Sequence, residues 1–120
     1  MRTTTTLTIP TYSCSIVIIV TDDLIKEGKR IYKKYEYGDY EEDEHCEGMV
    51  LSPDMTLYYV IFDRAYLTHN TLAHECYHLV RDIKTDRAIF DDEAGAWLMG
   101  HISEFIYKFL QKKKLAVKHG

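Results

Sequence analysis

His74 and His78 stand four residues apart, with Glu75 directly after the first of them. On a helix this spacing separates two side chains by about 40° in azimuth and roughly 6 Å along the axis. Two imidazoles so placed can hold one metal ion from the same side, and nitrogen ligands at that reach suit zinc. Glu75 can approach a water on such an ion without ligating the ion itself. It can take the water's proton during attack on a carbonyl and return it to the leaving amine. The pattern H-E-x-x-H fixes only three of five positions, so its surroundings must decide whether it is a site.

The surroundings predict an amphipathic helix over about 70–83. Leu72, Cys76, Leu79, Val80 and Ile83 fall on one apolar stripe, and His74 and His78 fall nearly opposite, facing a cleft. Cys76 therefore reads as a small buried hydrophobe rather than a ligand. A catalytic zinc usually takes three protein ligands and leaves a position for water. Glu93, fifteen residues after His78 in an acidic helix start (Asp91, Asp92, Glu93), is the leading third ligand, with Asp92 next. His101 competes, but it falls within the apolar stripe expected for the last helix. It also lies about 12 Å along the helix from Glu93, too far to share one ion. His45 and Cys46 have no partner pair at metal spacing and read as loop residues. His69 reads as a loop residue ahead of the helix. Arg81 and Asp82, one turn on, are placed to contact a ligand.

The elements that must position these residues follow from pattern. Residues 16–20 are apolar and β-branched, as a buried strand requires, and 56–63 are rich in strand formers. Residues 48–52 read as a short strand, which Pro53-Asp54 would turn back into the second to make a hairpin. Residues 24–35 read as a helix after Thr21-Asp22-Asp23, and a last helix runs to about residue 112. The acidic run 39–47 reads as a solvated loop. Residues 1–12 read as a polar lead-in that frays or adds to a sheet edge, and 112–120 as an exposed basic tail.

Composition bounds the whole. The chain has 120 residues, 46% apolar and 28% charged, which suits a single folded domain over 1–120. Three cysteines at irregular spacing point to a reducing compartment and away from a disulfide scaffold. A net charge of −4 lacks the footprint of a nucleic-acid binder. The longest apolar run, 16–20, is too short for a membrane span or a signal peptide.

The sequence resembles the zincin metallopeptidases. The matching residues are His74, Glu75 and His78, then Asp92-Glu93-Ala94-Gly95-Ala96-Trp97-Leu98-Met99-Gly100, which is similar to the downstream glutamate helix of gluzincins. With Leu67-Thr68-His69-Asn70-Thr71-Leu72-Ala73 ahead of the motif, the chain looks like small zincin-like proteins encoded by phages and mobile elements. The likeness spans 16–107, and its specific part is 67–100. It implies an active-site helix beneath a small sheet, with His74, His78 and Glu93 holding Zn2+ and Glu75 as general base. It also implies a sheet strand beside that helix that holds an extended substrate by strand addition. The segment just before the motif, with Tyr58, Tyr59, Val60 and Ile61, is the candidate for that strand. Tyr66, Tyr77 and Tyr107 are candidates to stabilise an oxyanion.

The expectation is therefore an α+β minimal zincin, a small and mainly antiparallel sheet packed on the motif helix and a C-terminal helix. Its activity would be zinc-dependent hydrolysis of peptide bonds in a cytoplasm, that of a bacterial host if phage-encoded. The partner is a polypeptide substrate or a host or phage protein, with neither nucleic acid nor membrane. Two other readings carry the same residues: a zinc-binding interaction module without catalysis, and an amidase acting on a non-peptide amide.

Overall fold

A computed structural model describes residues 1–40 and 46–119. Four strands form one mixed sheet: β1 (Arg2–Ile9), β2 (Cys14–Thr21), β3 (Gly48–Asp54) and β4 (Leu57–Asp63), in the order β1-β2-β4-β3. The two most apolar runs in the chain are the two central strands, which pair in parallel. Strands covered on both faces read as near-continuous apolar runs, and these do, over Ile16 to Val20 and Leu57 to Phe62. β1 lies antiparallel on β2, and β3 antiparallel on β4.

Alternation along the central strands sorts side chains between two cores. Ile16, Ile18 and Val20 of β2, with Tyr58, Val60 and Phe62 of β4, face α2 (His69–Asp86) and α3 (Asp92–Lys112). Ile19, Tyr59 and Ile61 face the other way, against Leu24 and Ile31 of α1 (Leu24–Lys34). Each fully buried Ile, Leu or Phe side chain contributes about 1.5–3 kcal/mol of transfer free energy. The helices begin at side-chain caps. Asp23, Thr68 and Asp91 accept from the backbone N–H of Lys26, Thr71 and Glu93. No helix among the described residues is long and apolar enough to cross a membrane.

The α+β class and both strands of the hairpin agree with the sequence reading, and several details do not. Two of the three strand pairings are antiparallel, as a mainly antiparallel sheet requires, but β2 pairs in parallel with β4, two strands later in the chain, which makes the sheet mixed. Of the two outcomes expected for the N-terminal residues, fraying or adding to a sheet edge, the structure shows the second: Arg2–Ile9 is an edge strand whose alternation sends Leu7 and Ile9 into the core. The hairpin turns at Met55-Thr56, and Pro53 sits inside β3 at a register irregularity between Leu51 and Asp54. A missing N–H is tolerated at such a bulge. The C-terminal tail also docks. Lys118 bridges Thr68, its N–H donating to the Leu67 carbonyl and its carbonyl accepting from the His69 N–H, while Leu115 and Val117 pack on the core.

Candidate metal centre

α2 presents two faces. Leu72, Cys76, Leu79, Val80 and Ile83 are buried as their spacing requires. His74 is exposed and His78 half-buried on the other side. Their rings stand 4.4 Å apart between centroids in an edge-on arrangement. Glu75 lies between the two faces. One ligand atom from each of His74, Glu75 and His78 falls within 4.8 Å of the others, the single such group of three or more among the described residues. His78 Nδ1 is 3.6 Å from Glu75 Oε1.

Glu75 is only 5% exposed. Burial pushes its carboxyl above the usual carboxylate range, while the neighbouring imidazoles of His74 and His78 pull it back down. A carboxyl raised in this way is better suited to shuttle a proton near neutral pH than a solvated one. Its burial comes from Gly48 at the start of β3, whose missing side chain leaves room for the Glu75 stem.

The cavity beside these residues holds about 430 Å³ and is bounded by α2 on one side and the start of β3 on the other. Cys46 and Glu47, immediately before β3, border it with His74, Glu75 and His78. Glu47 Oε2 accepts from Thr71 Oγ1 at 3.0 Å, and Thr71 Oγ1 in turn accepts from the capping Thr68 hydroxyl at 3.1 Å. The helix cap thus fixes a second carboxylate at the rim. The reading of 39–47 as a solvated run passed over Glu47, and it set Cys46 aside as a loop residue with no partner pair at metal spacing. No spacing signal marks either residue, because β3 brings them to α2 from 24 or more residues away in sequence. His45 lies outside the described residues.

Other expected site residues lie elsewhere. Glu93 is exposed in the first turn of α3, where its N–H donates to Asp91 Oδ1 at 3.1 Å, and it is not in the ligand group. Asp92 lines a different cavity, between α2 and α3. His101 is exposed and stacked on Trp97 at 4.7 Å, not held within the apolar stripe. The reason is the phase of α3, which buries Leu98, Ile102, Ile106 and Phe109 and turns Trp97 outward against Tyr12.

None of the three tyrosines borders the histidine cavity. Tyr66 is exposed in a short 3-10 turn. Tyr77 lines the α2–α3 cavity. Tyr107 bonds His69 Nδ1 at 2.7 Å and stacks on its ring.

The strand carrying Tyr58, Tyr59, Val60 and Ile61 cannot accept an added strand. β4 is central, with β2 on one edge and β3 on the other. All four residues are buried. The strand at the sheet edge next to the motif is β3, and its Gly48, Met49 and Val50 line the cavity.

The donor set fits a divalent cation in part. Two imidazoles converge, two carboxylates border the same cavity, and oxygen with nitrogen donors suits zinc among the common ions. Comparison with protein-family models, with curated proteins and with solved structures returns no match.

Proposed function

We propose that the protein is a zinc-dependent hydrolase that cleaves peptide bonds in an extended polypeptide laid along β3. The observation that carries this reading is the pairing of a buried, proton-poised Glu75 with two convergent imidazoles beside a sheet edge. His74 and His78 would hold the ion. When bound, zinc acidifies water and polarises a carbonyl.

The chain's own residues supply the rest. The Glu75 carboxylate takes a proton from the attacking water and passes it to the departing amine. The outer edge of β3 offers main-chain groups to a substrate strand, which gives binding with little demand on sequence. Gly48 keeps that strand close to Glu75. This arrangement resembles the zincin plan, with β3 in place of the strand expected from sequence.

A second reading has its own observation. Cys46 and Glu47 both border the cavity, and with His74 and His78 they would supply four donors. Closed four-coordination is the mark of a structural zinc and would make the protein a binding module. The two readings separate in one experiment. The zinc-loaded protein is incubated with a proteome-derived peptide library, and products are read by mass spectrometry. The hydrolase gives cleavage that a chelator stops and added zinc restores. A protein that binds zinc stoichiometrically and cleaves nothing is the module.

A further inference from the structure

Lys84 of α2 lies flat across Gly95 of α3. A Cβ at Gly95 would come within 3.0 Å of the Lys84 Nζ and 3.3 Å of its Cδ. The side chain is half-buried, and among the described residues its ammonium has neither an ion-pair nor a hydrogen-bond partner. Arg81, one turn earlier, is engaged by Asp82 at 3.2 Å. Asp92 borders the same space without reaching the lysine.

The space is a cavity of about 540 Å³ between the two helices. That is the size of a small-molecule site. Apart from these charges its wall is mainly apolar, with Val80, Ile89, Phe90 and Met99 prominent. Two aromatic rings at the rim are left to solvent, Phe90 at 87% and Tyr77 at 61% exposure. An apolar concavity with one unpaired cation calls for a ligand with an apolar body and one negative charge. Lys84 would supply a charge-assisted hydrogen bond. Phe90, Ile89 and Met99 would cover the body. Asp92 at the rim disfavours a polyanion.

We propose that this cavity binds a small apolar monocarboxylate, such as a medium-chain fatty acid. It shares no lining residue with the histidine cavity. The proposal therefore stands or falls independently of the hydrolase reading.

Decanoate and decanol, matched in apolar length, are titrated into the whole protein by calorimetry. Decanoate is expected to bind about tenfold more tightly than decanol, the gain of one charge-assisted contact. Lys84→Met should abolish that preference. Ala96→Trp, at an exposed position in the cavity wall, should block both ligands, with circular dichroism confirming that each variant folds. Methyl resonances of Ile89 and Met99 should shift on binding. Equal affinity for the two ligands, an unchanged preference in Lys84→Met, shifts confined to other residues, or no binding at all would overturn the proposal. So would sedimentation showing a dimer that buries Phe90.

Discussion

Gly48 on β3 stands directly against Glu75 on α2. A Cβ at Gly48 would meet the Glu75 Cγ at 2.9 Å and the Ile61 carbonyl oxygen at 3.1 Å. Glu75 is thus buried and aimed by a strand that begins beside it, and the edge strand and the proton-carrying residue form one unit. The fit predicts that Gly48→Ala destabilises the protein by about 1–3 kcal/mol, the usual cost of overpacking. Gly48→Val should cost more. Gly100→Ala is the control, because nothing lies within 4 Å of that position on α3 and alanine favours a helix. Urea denaturation of the three variants measures the difference, and a Gly48→Ala protein as stable as wild type would contradict the contact.

His74→Ala and His78→Ala should each lose most zinc binding by calorimetry, since two imidazoles form the core of the site. Glu47 borders their cavity and Glu93 does not. Glu47→Ala should therefore weaken zinc by about tenfold or more, the scale seen for residues that orient or complete a metal shell. Glu93→Ala should change it little. Strong zinc loss in Glu93→Ala alone would show that the start of α3 swings toward His78 when metal binds.

The cysteines report on the same cavity. Cys14 and Cys76 are buried, and burial pushes both thiols above their ordinary range. Both should react with a disulfide reagent only as fast as the protein opens. Cys46 is half-exposed at the rim of the histidine cavity. It should react first, and zinc should slow it. Mass spectrometry of the partly labelled protein identifies the order, and a Cys46 rate indifferent to zinc would place the ion elsewhere.

Tyr59 and Tyr35 share a hydrogen bond of 2.9 Å on the α1 face of the sheet. Burial, followed by this bond, raises the Tyr59 phenol to about 12. The folded value lies above the unfolded one of about 10, so the folded state holds its proton longer. The resulting stability is fully present below about pH 10 and lost as pH rises through about 12. Tyr59→Phe should flatten that alkaline decline. Absorbance of tyrosinate alongside thermal melts from pH 9 to 12 measures it.

Much of this arrangement is legible in residue pattern. The stripe from Leu72 to Ile83 fixes which face of α2 is buried and leaves His74 and His78 outside it. The apolar runs of β2 and β4 are strands because both faces are covered. Sheet order is not legible. Parallel pairing of β2 with β4 depends on contacts across some 40 residues, which local propensity does not encode. That pairing puts β4 in the centre and hands the edge to β3. Glu47 and Cys46 arrive at the cavity by the same route. The phase of α3 was ambiguous because its apolar residues span a wide arc, and packing against α2 and the sheet decides that Trp97 and His101 face outward.

Glu75→Gln tests the central claim most directly. Glutamine keeps the size and hydrogen-bonding reach of the side chain and removes the proton acceptor. Zinc content and hydrolysis of an unstructured protein substrate are measured in the same preparation, beside wild type. The account predicts one zinc per chain in both proteins, with turnover falling by about a hundredfold or more in the variant. Full activity in Glu75→Gln, or a wild type that binds zinc at neither His74 nor His78, would contradict it.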